Sequence, residues 1–509
     1  MKLTRLSASA FAVGCALLSS QTLASLQFNF SDNTPAEVQS QLLLVSEQSL
    51  SQNEHPQLQD ALAKAWLSSE KFTGKKGAQL ELRLGNAPTQ RLVLLGLGDS
   101  SKLSHSDILT LGADAAAVLA KNNSNTVSID TSALTQSSAD AAKVATFAQG
   151  LELRSYRFDK YKSKNSKAAL SQVHLLAEHP TQSKVALDKA QALNSGVFLA
   201  RDLTNEPAES LTPQTFADAA LELEKLGVKV QVLDEKALQK AGLGALYAVG
   251  KGSNRPPRLV IAQWQNSNKA PLAIIGKGIT FDTGGYHLKT DGESIVRMTS
   301  DMAGAAAALG TIKTLALQKA PVNVVAVMAM AENMISDKAM LPGDIIKTGA
   351  GLTVQITSTD AEGRLVMADA LWYANQQFKP RAMVDIATLT GSKVGALGSY
   401  YAGLFSEDEQ LVQQLTSAGA KVNEPLWRLP LGPQFASEMK SELADLRNTG
   451  KTTGASTAAW FLQQFVGQTP WAHIDIAGNA LASSDKGVQV SGATGFGVQL
   501  LTEWALIQP

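Results

Sequence analysis

The sequence predicts an α/β protein with two domains, a smaller N-terminal α/β domain and a larger C-terminal domain with a central, mostly parallel sheet flanked by helices. The chain has 509 residues, which exceeds the size at which one hydrophobic core stops growing. Apolar residues make up 44% of it, enough to fill two cores. Beyond residue 205, short β-branched runs alternate with helical patterns, which is typical of a parallel sheet covered on both faces.

The first 24 residues form a unit of their own. Lys2 and Arg5 precede a small and apolar run, and Thr22-Leu23-Ala24 comes before a polar stretch. This order predicts a signal peptide over residues 1–24 and export to the periplasm or the medium. The run is too short to span a membrane, and no later run reaches the 18 residues that a span needs. A buried first helix is one alternative, and a lipoprotein anchored through Cys15, the only cysteine, is another.

Residues 25–181 form the predicted N-terminal α/β domain. The Ala-rich segment at 106–120 has the apolar spacing of a helix, and four short apolar runs have the length of strands. These strands are expected at residues 42–45, 91–97, 126–129 and 172–177. No group of His, Asp, Glu or Ser here has the spacing of a catalytic site, so we expect a structural role. A linking helix is expected at 182–204, because Pro207 cannot continue it.

Residues 205–509 form the second predicted domain, whose strands are apolar runs between helical patterns. They are expected at residues 228–233, 258–264, 271–275, 322–330, 352–358, 382–389 and 471–476. Ligands of such sheets bind beyond the carboxyl ends of the strands. The charged motifs of the sequence lie just after three of these runs, which predicts that they share one edge of the sheet.

The first motif is the run GKGITFDTGG at residues 276–285, directly after a predicted strand. Glycine permits tight backbone turns, which would bring Lys277 and Asp282 to one place. The motif is not a phosphate-binding loop, because it lacks the GxxxxGK[ST] pattern. A plain ion pair between Lys277 and Asp282 is the alternative without a catalytic role.

The second motif is the run STDAEGRL at residues 358–365, again after a predicted strand. If the chain is extended there, Asp360, Glu362 and Arg364 point to one side. The alternative is the start of a helix, in which Thr359 and Glu362 form a capping box.

Asp301 precedes an Ala-rich helical stretch, where it could serve only the N-terminal dipole of that helix. Together with Asp282, Asp360 and Glu362, however, it makes a fourth carboxylate at the expected rim of the sheet. Such like charges raise one another's pKa unless cations bind, and clusters of this kind hold two divalent ions in two-metal hydrolases. The HExxH pattern of single-zinc proteases is absent. Two-metal phosphoester hydrolysis stays open as an alternative.

Both motifs resemble the signatures of the leucyl aminopeptidase, or cytosol aminopeptidase, family of di-metal metallopeptidases, and the leader would make this chain a signal-bearing bacterial-type member. Further runs follow the family's order: RDLTNEP at 201–207, GSNRPPR at 252–258, ATLTG at 387–391 and WAHIDIAG at 471–478. The resemblance implies that residues 205–509 are a catalytic metallopeptidase domain. It implies release of N-terminal residues, leucine and other apolar ones foremost, by a hydroxide that two metal ions activate.

The resemblance also implies a set of metal ligands. It assigns the tighter of two divalent ions, Mn²⁺ or Zn²⁺, to Lys277, Asp282, Asp301 and Glu362. It assigns the more exchangeable ion to Asp282, Asp360 and Glu362. Asp282 and Glu362 would therefore bridge the two ions.

Two further residues are implied to be catalytic. Lys289 would polarise the scissile carbonyl, and Arg364 would hold a bicarbonate ion that acts as general base. The implied partners are peptides with a free N-terminus and further copies of the chain in a homohexamer. Lys and Arg total 45, as do Asp and Glu. This balance of charge argues against a nucleic acid partner. It therefore also argues against the alternative class of function, a DNA-binding scaffold.

Three positions depart from the family pattern. Tyr286 and His287 stand where Ile-Ser is usual, and we expect His287 to line the pocket or support the site rather than bind metal. The spacing between Lys289 and Asp301 is one residue longer than usual, so Asp301 is assigned through the run MTSDM. Ser358 stands where Asn is usual. None of these changes removes a predicted ligand.

Overall fold

The structure is a computed structural model. It describes residues 26–508 except 32–33, 36–37, 39, 84–90, 122–124, 136–139 and 164–169. The predicted signal peptide at 1–24, which includes Cys15, lies outside the described residues. Within the described ranges, no helix has the length and apolar character needed to cross a membrane.

The N-terminal domain is built on a six-stranded sheet. Its strands are β1 (Gln27–Ser31), β2 (Ser40–Ser46), β3 (Gln79–Arg83), β4 (Arg91–Gly98), β5 (Thr126–Asp130) and β6 (Gln172–Leu176). Their order is β1-β6-β5-β2-β4-β3, and β3 with β4 is the antiparallel pair. The four predicted strands are β2, β4, β5 and β6. The edge strands β1 and β3 are largely half-buried or exposed, so their apolar signal is weak.

Helices cover both faces of this sheet. They are α1 (Glu47–Ser51), α2 (Ala61–Ser69), α3 (His105–Ala120) and α4 (Ala141–Ser155). Helix α3 begins at a capping box, in which Asp107 N donates to Ser104 Oγ over 3.2 Å and Ser104 N donates to the Asp107 carboxylate over 3.0 Å. Such reciprocal bonds satisfy two backbone donors that a helix start leaves free.

A long helix, α5 (Pro180–Asn205), leads from the first domain into the second. Near its end the fully buried Arg201 donates to three carbonyl oxygens, those of Leu153 at 2.8 Å, Val488 at 3.0 Å and Thr494 at 3.0 Å. Leu153 lies on α4, whereas the other two lie in the C-terminal domain. One guanidinium therefore bonds to backbone groups of both domains.

The C-terminal domain is built on an eight-stranded sheet. Its strands are β7 (Lys229–Leu233), β8 (Arg258–Trp264), β9 (Leu272–Asp282), β10 (Val324–Asn333), β13 (Ala382–Ala387), β14 (Ala402–Phe405), β15 (Leu426–Arg428) and β17 (Trp471–Asp475). Their order is β15-β14-β17-β13-β9-β10-β8-β7. Strands β17, β13, β9 and β10 are parallel neighbours, and β14 and β8 pair antiparallel on either side of them.

Helices lie on both faces of the eight-stranded sheet. They are α6 (Pro213–Leu221), α7 (Glu235–Lys240), α8 (Gly244–Gly250), α9 (Gly292–Val296), α10 (Ala303–Leu317), α11 (Gly363–Phe378), α12 (Gly391–Leu397), α13 (Glu409–Lys421), α14 (Gly454–Gln463) and α15 (Val498–Leu506). Strand β9 serves both layers: Ile274 packs into the core with α10 and α15, and Ile275 into the core with α8 and α11. Because both faces are covered, the inner strands β10 and β13 are fully buried and mostly apolar. The predicted two-domain α/β fold is confirmed.

Two small sheets lie beside the main one. Strands β11 (Ile345–Lys347), β12 (Thr353–Gln355) and β16 (Leu446–Arg447) form a three-stranded sheet, and β18 (Leu481–Ala482) pairs with β19 (Gly492–Ala493). The strand predicted at 352–358 is therefore not part of the central sheet. The observed strand β12 begins just after a turn at Gly351, where φ is +88°, and it is only three residues long.

Candidate metal centre

Lys277 and Asp282 lie on the same strand, β9, which continues through the first motif. The expectation that glycine turns bring them together is wrong. A Cβ at Gly276 would lie 2.5 Å from Ala305 Cα, so this glycine allows α10 to approach the strand closely. The turn comes later, at Gly284 and Gly285, where φ is +86° and +60°.

Lys277 is buried and makes three contacts through its Nζ atom. Asp301 Oδ1 lies at 2.8 Å, Glu362 Oε1 at 3.0 Å and the carbonyl oxygen of Thr388 at 3.1 Å. Burial alone would lower the pKa of Lys277, but the carboxylates of Asp301, Glu362 and Asp282 outweigh it and raise this pKa. A divalent cation nearby would reverse the direction, because positive charge favours the neutral amine that can bind metal.

Asp282 ends β9, and its two oxygens have separate partners. Oδ1 accepts hydrogen bonds from Gly284 N at 2.9 Å and Asn333 Nδ2 at 2.8 Å, and Oδ2 lies 2.9 Å from Lys289 Nζ. The ion pair expected as the alternative to a site, Lys277 with Asp282, is thus not a direct contact: Lys277 pairs with Asp301 and Glu362 instead.

Lys289 lies between two carboxylates. Its Nζ contacts Asp360 Oδ1 as well as Asp282 Oδ2. Burial lowers the pKa of Lys289, but Asp282 and Asp360 raise it by more. The side chain therefore stays an ammonium at neutral pH, at the more exposed side of the cluster.

Asp301 lies in a 3₁₀ turn, Arg297–Met302, directly before α10. Its Oδ1 accepts a hydrogen bond from Thr388 Oγ1 at 2.7 Å besides its contact with Lys277. Burial raises the pKa of Asp301. Its carboxylate thus faces the cluster despite the extra residue between Lys289 and Asp301. Asp301 is therefore not merely a partner of the helix dipole.

Asp360 and Glu362 lie in a turn that leads into α11. The predicted extended chain is wrong at this point, because Glu362 has helical torsions, φ −74° and ψ −35°. The capping-box alternative is wrong as well, since Glu362 is itself the N-cap and makes no side-chain cap bond. A Cβ at Gly363 would lie 2.7 Å from Lys277 Nζ, so a glycine here lets Lys277 reach Glu362.

The carboxylates converge closely enough to hold a cation. Asp282, Asp360 and Glu362 each offer an oxygen within 4.8 Å of the other two. Two carboxylate oxygens of the cluster, Asp301 Oδ2 and Glu362 Oε2, are buried without a hydrogen-bond partner among the described residues. An unpaired buried carboxylate oxygen is costly, and divalent cations would satisfy both. Oxygen ligands with one amine nitrogen suit Mn²⁺ or Zn²⁺.

Arg364 lies in the first turn of α11 and is buried. Its Nη1 donates to the carbonyl oxygen of Asn448 at 2.8 Å, whereas its Nε has no partner among the described residues. Burial lowers the pKa of Arg364 to about 10. A buried guanidinium with a free donor is suited to a small anion.

Two residues that hold the site together were not predicted. Asn333 Nδ2 donates to Asp282 Oδ1 and, at 3.0 Å, to the carbonyl oxygen of Thr359, which joins the two motifs. Asn448 Oδ1 accepts from the backbone N–H groups of Thr357 at 2.8 Å and Ser358 at 3.2 Å. The position of Asn333 at the end of an apolar strand is a usable signal, but nothing local marks Asn448.

Two family models match the chain. The catalytic domain of the cytosol aminopeptidase family matches residues 198–502, and the N-terminal domain of the same family matches residues 42–165. The two matches together cover well over half of the chain.

Relatives of known family match this chain over nearly its full length. A probable cytosol aminopeptidase 1 of Shewanella oneidensis is 51% identical, over 87% of this chain and 88% of its own, and a probable cytosol aminopeptidase of Sinorhizobium fredii is 46% identical, over 85% and 88%. A mutant of tomato leucine aminopeptidase superimposes with a TM-score of 0.84 at 32% identity, over 95% of this chain and 97% of that one. The bottromycin maturation enzyme BotP in complex with Mn gives 0.82 at 30% identity, over 92% and 99%. The chain therefore belongs to the cytosol aminopeptidase family of metal-dependent peptidases.

Proposed function

We propose that this protein releases N-terminal amino acids, leucine and other apolar residues foremost, from peptides with a free N-terminus, and that it uses two divalent ions, Mn²⁺ or Zn²⁺. Family membership supports the reaction class. The observation that carries the proposal is a pair of buried carboxylate oxygens, Asp301 Oδ2 and Glu362 Oε2, that have no hydrogen-bond partner in the part of the chain that the structure describes.

We assign the tighter ion to Lys277, Asp282, Asp301 and Glu362, and the more exchangeable one to Asp282, Asp360 and Glu362. Bound divalent ions would supply Lewis-acid activation of water and of the scissile carbonyl. The chain itself fixes the ligands in advance. Asn333 and Gly284 N hold Asp282, and Thr388 holds both Lys277 and Asp301. Such preorganisation avoids a reorganisation cost during the reaction.

Lys289 is the cation best placed to act on the substrate. Its ammonium lies beside Asp282 and Asp360 on the side of the cluster that is open to solvent, since the Asp360 side chain is 35% exposed. An ammonium in that position can donate a hydrogen bond to the oxygen that becomes negative when the carbonyl is attacked.

The most direct test compares free and blocked amines. We expect the metal-loaded protein to hydrolyse leucine p-nitroanilide and to cleave the N-acetyl derivative slower by roughly 10³-fold or more, because sites that bind a polar group reject analogues that lack it. Chelation should abolish the activity, and Mn²⁺ or Zn²⁺ should restore it. Release of p-nitroaniline provides the measurement.

Two results would contradict the proposal. Equal rates on blocked and free substrates would show a general amidase. Hydrolysis of a phosphate ester that exceeds hydrolysis of the anilide would favour the phosphoesterase alternative, because such an enzyme has no use for a free amine.

We also propose that Arg364 holds a bicarbonate ion that serves as general base. Its buried, unpaired Nε supports an anion at this place. We expect Arg364→Ala to keep its metal content and to lower kcat by about 10²-fold, within the range for loss of a general base. Added bicarbonate should raise the kcat of the wild type and, in part, of the variant. A variant with unchanged kcat would overturn this role.

Export and assembly are further proposals. We propose that residues 1–24 are removed during export to the periplasm or the medium, and N-terminal sequencing of the exported protein tests this. We propose a homohexamer, as the family resemblance implies. Light scattering measures the particle mass, and the mass of a monomer would contradict this proposal.

A further inference from the structure

The loop after β9 is attached to neighbouring elements by two side chains. Tyr286 donates its hydroxyl proton to the carbonyl oxygen of Ser336 at 3.0 Å, and His287 contacts Thr359. Within the loop, Lys289 N donates to the carbonyl oxygen of Thr283 at 2.9 Å. The loop is therefore closed on itself and held at two points, although Tyr286 and His287 are both exposed.

His287 and Thr359 exchange two hydrogen bonds. His287 N donates to Thr359 Oγ1 at 2.8 Å, and Thr359 N donates to His287 Nδ1 at 3.2 Å. The Thr359 hydroxyl donates its own proton to the carbonyl oxygen of Gly284, at 2.6 Å. His287 Nδ1 must therefore be an acceptor, which places the proton of the neutral ring on Nε2.

These two hydrogen bonds hold the backbone segment that leads into Asp360. Thr359 is fully buried and directly precedes Asp360. On the opposite side of the segment, Asn333 Nδ2 donates to the Thr359 carbonyl oxygen. The loop packs directly against the acid, since a Cβ at Gly284 would lie 2.9 Å from Asp360 Oδ1.

Asp360 depends on such support more than the other proposed ligands do. Its side chain is 35% exposed, whereas those of Asp282, Asp301 and Glu362 are 3%, 6% and 2% exposed. A buried carboxylate is held by the packing around it, but an exposed one is held by its backbone and by the hydrogen bonds of that backbone. Partners of this kind tune metal affinity without touching the metal.

We propose that His287 is a positioning residue: through Nδ1 it holds the backbone N–H of Thr359, directly before Asp360, and so it sets the affinity of the more exchangeable metal ion while leaving the tighter ion unaffected. This inference rests on the proposed two-ion site. The tighter set consists of Lys277, Asp282, Asp301 and Glu362. His287 makes no hydrogen bond to any of these residues in the described structure, so we expect the affinity of the tighter ion to stay unchanged. His287 is thus more than a lining residue of the pocket.

Three variants of His287 test the proposal. In His287→Asn the side-chain oxygen takes the place of Nδ1 and still accepts from Thr359 N. In His287→Gln the oxygen lies one atom too far, near the place of Nε2, and His287→Ala has no acceptor. Tyr286→Phe is the matched control, because it removes the other attachment of the same loop.

Calorimetric titration of the metal-stripped proteins with Mn²⁺ gives the readout. We expect two binding events in the wild type. In His287→Gln and His287→Ala the weaker event should lose about 10- to 100-fold in affinity, and the tighter event should not change. His287→Asn and Tyr286→Phe should resemble the wild type. The Mn²⁺ concentration for half-maximal activity should rise by the same factor as the weaker dissociation constant, while kcat at saturating Mn²⁺ recovers.

The outcomes separate this inference from the proposed function. A wild type with one binding event would refute the two-ion function, and the role of His287 with it. Two wild-type events that His287→Gln leaves unchanged would refute the role of His287 alone. Equal weakening of both events, or weakening in Tyr286→Phe, would show general disturbance of the loop and would also overturn the proposal. Thermal unfolding of the metal-free variants identifies any that fail to fold.

Discussion

Glu362→Gln is expected to remove bound metal and to lower kcat/KM for leucine p-nitroanilide by more than about 10³-fold. Loss of a single oxyanion donor already lowers the rate of an enzyme by about 10²- to 10³-fold, and loss of the ions should lower it further. The Glu362 carboxylate is 2% exposed, contacts Lys277 through Oε1 and leaves Oε2 unpaired. Glutamine keeps the shape but replaces one oxygen with an NH₂ group, which cannot bind a cation. As the proposed bridging ligand, Glu362 affects both ions.

Elemental analysis of the dialysed proteins, alongside steady-state kinetics, measures this effect. Glu424→Gln is the matched control, because Glu424 is also a buried glutamate but accepts hydrogen bonds from Gly497 N and Leu500 N at the start of α15. The control should keep its full metal content. If Glu362→Gln kept two ions per chain together with wild-type activity, the assignment of Glu362 as a ligand would be wrong.

Lys289→Ala should lower kcat by about 10²- to 10³-fold with little change in KM and with its metal content intact. The reason is that the ammonium acts on charge that develops only in the transition state. Asp282 and Asp360 raise the pKa of Lys289 despite its partial burial, whereas bound divalent ions would lower it. The comparison of kcat is therefore made near neutral pH, well below the ordinary pKa of a lysine.

Lys289→Arg serves as the conservative comparison, since it keeps the charge and alters the geometry. We expect its kcat to lie between those of the wild type and the alanine variant. A rise in KM without a fall in kcat would assign Lys289 to ground-state binding instead. Loss of metal in step with loss of activity would make it a ligand.

The architecture could be predicted from the sequence better than the local conformations at the site. Continuous apolar runs such as 258–264 identify strands that are buried on both faces, because burial leaves no room for alternation. The convergence of the four acidic residues was predicted from strand ends, but only Asp282 ends a strand of the central sheet. Asp301 lies in a turn before α10, and Asp360 and Glu362 follow a strand of a separate small sheet. The individual metal and catalytic roles of these residues stay predictions.

The wrong predictions of local conformation at the site have physical causes. Residues 276–282 looked like a glycine turn, because conformational freedom and close packing both favour glycine, and only the neighbouring helix α10 shows that packing is the reason at Gly276. Residues 360–364 looked extended, because the helix start at Gly363 has no side-chain cap. Asn448 could not be predicted, since its partners Thr357 and Ser358 lie about ninety residues earlier in the chain.

Arg201 has a consequence for how the molecule comes apart. Its guanidinium bonds to Leu153 O in the first domain and to Val488 O and Thr494 O in the second. If the first domain melted or were cut away, the guanidinium of Arg201 would lose the carbonyl oxygen of Leu153, and a buried donor that is left unpaired costs about 1–3 kcal/mol. We therefore expect the N-terminal domain to unfold together with the C-terminal domain and not as a detachable module, so that differential scanning calorimetry should show a single heat transition.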